Sequence, residues 1–193
     1  MNIGLYFGTF NPIHVGHLII ANYMVENSDL DEVWFVVTPH NPFKKKKSLL
    51  ENYHRLELVY LATENYDKIK PSDIEFQLPQ PNYTVHTLAH ISDTYPQHTF
   101  SLIMGEDNLK SFHKWKNYEI ILEHHHLYVY PRVSEGKIET LFDKHPKIHH
   151  IKAPIIELSS TQIRAGIKEN KNIQPMLTEA VWKYIDEMNF YRK

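Results

Sequence analysis

Two short runs rich in β-branched and aromatic residues, 3–7 and 33–38, flank a stretch, 14–25, whose apolar residues recur at helical spacing. Strand, helix and strand in that order make a βαβ unit. Its two strands run parallel, because a crossover of this length is what lets a chain re-enter a sheet in the same direction. A parallel sheet needs helices on both of its faces, so the fold class is α/β from the first forty residues onward.

The same rhythm continues along the chain. A second helix is predicted over 50–64, with Tyr53, Leu56, Val59, Tyr60 and Thr63 on one face, followed by an extended segment over 72–77. Thr84 is placed to cap a helix through residue 93, after the loop that holds Pro79 and Pro81. Then come a strand over 99–104, helices within 107–123, a strand over 127–130, a helix over 136–143 and a strand over 148–151. The expectation is a Rossmann-like parallel sheet. After residue 157 the pattern changes: 161–168 and 177–188 are both helical with no strand between them, a C-terminal helical appendage.

At 193 residues and 42% hydrophobic content, the chain can bury a core without disulfides or metal staples. No internal repeat, flexible linker or low-complexity block divides it. The expected organisation is one domain over 1–193, with an α/β core over 1–157 and the helices of 158–193 packed on it. Its 21 basic and 23 acidic residues are mixed along the chain and sum to −2, which gives no cationic field for nucleic acid. Zero cysteines exclude disulfides and thiolate metal sites and suit a reducing compartment, with the cytoplasm as the simplest reading. The opening residues read as a strand rather than a secretion signal, and no apolar run approaches the roughly 20 residues that cross a bilayer. Oligomeric state, a homo-oligomer included, is left open.

The chemistry concentrates after the first strand, in Gly8-Thr9-Phe10-Asn11-Pro12-Ile13-His14-Val15-Gly16-His17. Gly8 permits a tight turn and lets a phosphate approach main-chain N–H groups unobstructed. Asn11 is a favoured N-cap and Pro12 a favoured first helical residue, so a helix is expected to begin there with its positive dipole end facing the loop. Such an end, at the carboxyl edge of a parallel sheet, is an anion site. His14 and His17 are three apart and project from one face, with Gly16 leaving room for a ligand between them. Two imidazoles there can donate to phosphate oxygens as charge builds up on them. Among 14 histidines an arbitrary pair is surface or packing, and only the context singles this one out. Zinc is disfavoured because no cysteine or H-E-x-x-H pattern supplies further ligands, and the Walker and dinucleotide glycine patterns are absent.

Gly8 to His17 resembles the G-[ST]-F-[DN]-P-x-H-x-G-H signature of the nucleotidyltransferase superfamily. Leu158-Ser159-Ser160-Thr161-Gln162-Ile163-Arg164 resembles its second signature, I-S-S-T-x-I-R, with Leu158 in place of the commoner isoleucine. On physical grounds Ser160 or Thr161 can cap the next helix, and Arg164 can present a charged fork from its first turn. The resemblance implies the nucleotidyltransferase fold. It also implies ATP phosphates held by Gly8, Thr9, Phe10, Gly16, Ser160, Thr161 and Arg164, with His17 and His14 as the catalytic pair and Mg²⁺ accompanying ATP.

The middle of the chain resembles one branch of that superfamily. Asn82 to Leu88 resembles the [SN]-Y-T-x-x-T-L segment of the nicotinate-nucleotide adenylyltransferases. Ile103 to Asp107 with Phe112, Trp115 and Tyr118 to Leu122 resembles their I-x-G-x-D and F-x-x-W-x-x-[YW]-x-x-[IL]-[IL] stretch. The likeness implies nicotinate mononucleotide as the acceptor, with Trp115 stacked on its pyridine ring and main-chain amides at Thr84 and Lys116 on its carboxylate. Asn41 and Thr87 join that substrate site, while Gly105 and Asp107 are implied at the ATP site, Asp107 near the sugar hydroxyls or the metal. Lys44, from the run Lys44 to Lys47, brings a basic residue over the phosphates, whereas composition alone reads that run as a solvated loop. Arg132 lines up with an ATP-binding arginine, although the family's Arg-Pro order is reversed here as Pro131-Arg132. Three alternatives stay open: nicotinamide mononucleotide as preferred acceptor, another phosphorylated acceptor, or a non-catalytic ATP-binding sensor. The intact His14, His17 and Arg164 argue against the sensor.

Overall fold

A computed structural model describes residues 1–39, 49–133, 141–142 and 144–192. Six strands, β1 (Asn2–Gly8), β2 (Glu32–Val37), β3 (Ile69–Ser72), β4 (Thr99–Gly105), β5 (Leu127–Tyr130) and β6 (Ile148–His150), form one sheet in the order β3-β2-β1-β4-β5-β6. Every pairing is parallel, with Tyr6 level with Phe35 on one side and Ile103 on the other. The helices are α1 (Val15–Glu26), α2 (Asn52–Thr63), α3 (Thr84–Thr94), α4 (Glu106–Ser111), α5 (Tyr118–His124), α6 (Ser160–Lys168) and α7 (Glu179–Glu187), with short 3₁₀ turns at Phe112–Lys114 and Gln174–Met176.

The two-residue period of the strands divides the core into two layers. Tyr6, Phe35, Ile103, Tyr128 and Tyr130 face one side, where Leu18, Ala21, Leu58, Val59, Ile163, Ile167, Val181 and Ile185 of α1, α2, α6 and α7 cover them. Their neighbours Leu5, Val36, Leu102, Met104 and Val129 face the other side, against Leu88, Ile91, Leu109 and Ile121 of α3, α4 and α5. Helices therefore cover both faces, as the alternation requires, and the C-terminal helices pack on the α1–α2 side. No helix among the described residues is long and apolar enough to cross a membrane.

Several local expectations are corrected. The third strand is Ile69–Ser72 rather than 72–77; Pro71 hid it, and the position is tolerated because β3 is an edge strand. Residues 73–78 make turns, with Phe76 N–H on Asp73 O and Leu78 N–H on Glu75 O. The inward face of α2 is Arg55, Leu58, Val59, Ala62 and Thr63, while Tyr53 is 77% exposed and Tyr60 51%. Thr84 begins α3 instead of capping it; the cap position belongs to Tyr83. The stretch 107–123 breaks at Trp115, which is extended, and Asn117, which is left-handed at φ 51°. The helix expected over 136–143 lies largely outside the described residues, and 141–142 form a turn. Thr178 caps α7 by accepting from Val181 N–H, so that helix starts at Glu179.

Candidate active site

Strand order reverses between β1 and β4. In open α/β sheets, ligands bind in the crevice outside the carboxyl ends of the strands at such a switch point. β1 ends at Gly8 and β4 at Gly105, so the segments 9–17 and 105–107 leave the same edge of the sheet side by side.

The first loop is shaped by Phe10, a non-glycine residue at φ 44°. Its ring is 2% exposed, sets its edge against Tyr6, His17 and Phe35, and folds beneath Gly8. A Cβ on Gly8 would lie 2.8 Å from that ring. The side of Gly8 on which a Cβ would stand is therefore taken by the Phe10 ring.

The helix starts later than Asn11 and Pro12. His14, extended at φ −148°, is the N-cap, and Asn11-Pro12 form a turn with a cis peptide. The His14 carbonyl accepts from His17 N–H at 2.9 Å, and His14 N–H donates to His17 Nδ1 at 3.3 Å. Because Nδ1 accepts, a neutral His17 carries its proton on Nε2, which becomes the ring's donor. The two rings stack, centroids 3.7 Å apart and planes 25° from parallel. His14 is 6% exposed; burial, and then the Arg132 charge, hold its pKa down at about 4, so it is neutral at physiological pH. The space left by Gly16 belongs to His14 itself: a Cβ there would sit 3.0 Å from both His14 Nδ1 and Ile156 Cγ2. Gly16 seats the imidazole, in place of the room for a ligand expected of it.

The second motif reaches across to this loop. Ser159, rather than Ser160 or Thr161, caps α6: its Oγ accepts from Gln162 N–H, and Gln162 Oε1 accepts from Ser159 N–H at 2.8 Å, a reciprocal capping box. That leaves Ser160 Oγ to donate to Pro12 O at 2.8 Å and Arg164 Nη1 to donate to Asn11 O at 2.7 Å, with Nη2 on Thr161 Oγ1 at 3.3 Å. His14, His17, Ser160 and Arg164 are thus gathered around one loop.

Beside it, Asp107, Arg132, Ile156, Leu158, Ser159 and Gln162 line a cleft of about 450 Å³. Gly105 lets Asp107 and Arg132 pack close against the end of β4, since a Cβ there would clash with Asp107 Oδ1 and lie 3.1 Å from Arg132 Nε. The Asp107–Arg132 pair, 3.6 Å apart and roughly half exposed, is of the kind worth about 0–1 kcal/mol, so it does not lock Arg132 away from a polyphosphate. An aromatic floor joins the cleft to the histidines: Tyr6 lies against His17, its hydroxyl 2.8 Å from that of Tyr130, and Arg132 sits 5.2 Å over the Tyr130 ring.

The residues expected at the acceptor site divide. Lys116 Nζ lies 4.5 Å over the Tyr83 ring, which brings Lys116 and half-buried Trp115 next to Thr84 at the start of α3. Thr87 is different: it is fully buried and its hydroxyl donates to Glu75 Oε1 at 2.7 Å, so its side chain faces the interior. Asn41 and Lys44 lie outside the described residues.

Three contributors escaped the sequence reading. Glu75 is buried beneath α3 with its pKa raised by burial, and accepts from Thr87. Tyr191 donates to Asn11 Oδ1 at 2.8 Å. Arg55, fully buried, donates to Thr9 O at 2.7 Å. A signal existed for Arg55, which stands three, four and seven residues before Leu58, Val59 and Ala62 on the apolar stripe of α2.

A doubly covered parallel sheet with paired histidines and a distant Ser-Arg motif meeting at its switch point defines a nucleotidyltransferase. The cytidylyltransferase-like family model matches residues 5–166, and over its full length the chain is 69% identical to all of a Flavobacterium psychrophilum protein named "probable nicotinate-nucleotide adenylyltransferase". A Bacteroides fragilis protein of the same name is 45% identical over 94% of this chain and 90% of its own. The structure of Plasmodium falciparum nicotinic acid mononucleotide adenylyltransferase complexed with NaAD has the same fold, with a TM-score of 0.80 at 22% identity over 98% of this chain and 97% of that one. The chain belongs to the cytidylyltransferase-like family and, within it, to the nicotinate-nucleotide adenylyltransferases.

Proposed function

We propose that this enzyme transfers the adenylyl group of ATP to nicotinate mononucleotide, giving deamido-NAD and pyrophosphate, in NAD biosynthesis. The observation that carries the reading is the convergence of Ser160 and Arg164 on the loop that bears His14 and His17, at the switch point of the sheet.

A phosphate oxygen of the mononucleotide attacks the α-phosphorus of ATP; the new P–O bond forms as the bond to the β-phosphate oxygen breaks. No protein nucleophile is required, because a phosphate monoester is already an anion. The chain's share is positioning and charge stabilisation. In this reading the phosphates lie against the main chain of Gly8 to Phe10 and Gly16, with Ser160, Thr161 and Arg164 closing from α6. His17 Nε2–H donates to the α-phosphoryl oxygens as they gain charge, and His14 fixes the ring that does so. Gly105, Asp107 and Arg132 receive the rest of ATP in the adjoining cleft. Trp115, the amides at Thr84 and Lys116, and the side chains of Asn41 and Lys44 are assigned to the acceptor.

Among the described residues no group of three or more His, Asp or Glu side chains is placed to hold a metal ion. Mg²⁺ is read as part of the substrate, MgATP, in which it would neutralise phosphate charge and help pyrophosphate depart. The same reading gives a single functional domain over 1–193, small-molecule partners only, and a cytoplasmic site of action.

The test supplies ATP and Mg²⁺ with nicotinate mononucleotide, with its amide and with pantetheine phosphate, and measures pyrophosphate. Release at least tenfold faster with the acid than with the others is the expected order, about 1.4 kcal/mol of discrimination. Faster release with the amide or the pantetheine ester would reassign the acceptor, and release with none would make the chain a sensor.

A further inference from the structure

Among the described residues, Arg55 is the largest fully buried side chain. Its Nε donates to Leu50 O at 2.9 Å, Nη1 to Thr9 O at 2.7 Å and Thr38 O at 2.8 Å, and Nη2 to Pro39 O at 3.3 Å and Asn52 Oδ1 at 2.7 Å. All five acceptors are neutral, and among the described residues no carboxylate lies within ion-pair distance of it. Burial lowers its pKa to about 10, which leaves the guanidinium charged at neutral pH. Tyr191 and Glu51 favour the charged form but are outweighed by burial; a buried charge with no direct ion pair among the described residues is expensive, and an apolar side chain would fill the same volume without that cost.

What the fork holds is the main chain at the carboxyl edge of the sheet. Thr9 follows β1, Thr38 and Pro39 follow β2, and Leu50 precedes α2. The Thr9–Phe10 peptide is not among the cis bonds, so its C=O and N–H point in opposite directions. With Thr9 O drawn to Nη1, the Phe10 N–H is turned to the opposite side of the peptide, away from Arg55. We infer that Arg55 is a positioning residue for the nucleotide: it sets the Thr9–Phe10 peptide so that its N–H faces the ATP phosphates, and it holds a positive charge beneath that loop.

This rests on the adenylyl-transfer reading only for the identity of the nucleotide, and the experiment separates the two. MgATP is titrated calorimetrically into the parent and into Arg55→Lys at 15 °C or so, with folding checked by circular dichroism, while the parent alone is assayed for pyrophosphate. Lysine keeps the charge but cannot span Thr9, Leu50 and Thr38 together, so the Kd for ATP should weaken about tenfold or more. A residue that merely supports the fold would lower the titration stoichiometry, through loss of folded protein, and leave Kd alone. A Kd within about twofold of the parent in folded Arg55→Lys would overturn the inference. If that variant does not fold, Asn52→Ala decides, because it removes the shorter of the two Nη2 bonds, leaves that to Pro39 O and keeps the guanidinium: a Kd weakened about threefold supports the role, and an unchanged Kd overturns it. A parent that binds ATP but transfers to no acceptor would count against the reaction, while the Kd comparison would still judge Arg55.

Discussion

Arg164 Nη1 donates to the main-chain carbonyl of Asn11 over 2.7 Å, across 153 positions of sequence. Asn11 is 4% exposed, and its side-chain Oδ1 accepts from Leu50 N–H at 3.2 Å and from the Tyr191 hydroxyl at 2.8 Å. The loop after β1 is therefore held by α6, by the segment before α2 and by the end of the chain at once. Burial pushes the Tyr191 phenol well up, so it stays a donor across the working pH range. Replacing Arg164 with lysine keeps one charge and loses the fork between Asn11 and Thr161. The expected loss in kcat/KM for ATP is about 1.5–3 kcal/mol, on the order of 10–100-fold, with the melting temperature little changed. Steady-state kinetics with varied ATP, beside a thermal melt, checks both halves.

His17→Ala removes the Nε2 donor while leaving the stacked His14 in its capping position. Loss of one donor to a developing oxyanion costs about 2.7–4 kcal/mol, so turnover should fall by roughly 10²–10³-fold with ATP affinity changed far less. Turnover within about threefold of the parent would remove His17 from the chemistry.

The layered α/β fold and the pairing of the two phosphate motifs were readable because both rest on short-range patterns. Strands of period two and helices of period 3.6 announce themselves within a dozen residues, and Gly8 to His17 is contiguous. What escaped depends on groups that meet only in space. Asn11 reads as an N-cap by residue type, yet its carbonyl and side chain are taken by Arg164, Leu50 and Tyr191, and His14 caps the helix instead. Gly8 and Gly16 read as openings for a ligand, but the space is filled by Phe10 and His14, whose folded-back rings no local pattern discloses. In α2 the tyrosines counted as apolar face outward and a guanidinium took their place inside, because five carbonyl and amide acceptors converge there from separate parts of the chain.

Thr87→Val separates a folding role from a binding one. The hydroxyl donates to Glu75 Oε1, and Thr38 is the other side-chain hydroxyl set against that buried carboxyl. Removing the donor leaves a buried carboxyl worse satisfied, at a cost of about 1–3 kcal/mol of stability. Urea unfolding should show that loss, while KM for the mononucleotide stays within about twofold of the parent, since the side chain faces the interior.

Gly16→Ala opposes two effects of known size. Within a helix, Gly→Ala stabilises by about 0.8–1 kcal/mol, whereas crowding a packed site costs about 1–3 kcal/mol. Here the new Cβ would press on His14 Nδ1 and Ile156 Cγ2, both at 3.0 Å. Ile156 also lines the cleft beside Asp107 and Arg132. Stability should change by less than about 2 kcal/mol, and kcat should fall at least tenfold because the displaced His14 ring carries His17 with it. An alanine variant with parental turnover would show that the stacked pair tolerates displacement.

The pH dependence of stability follows from His14. Its folded-state pKa is depressed to about 4, while an unfolded chain titrates near 6.5. Between those values the unfolded state binds more protons, so native stability is complete above about pH 6.5 and falls as pH drops through the window to 4. The difference of about 2.5 units amounts to a loss on the order of 3 kcal/mol once the window is crossed. His14→Asn places a favoured N-cap residue at the position and removes the titrating ring. Chemical unfolding at pH 7.5 and pH 4.5 should therefore show a much smaller decline for the variant than for the parent. Equal declines in the two proteins would mean that His14 is already charged in the native state, and that the neutral, stacked imidazole on which His17 rests is not the form the protein uses.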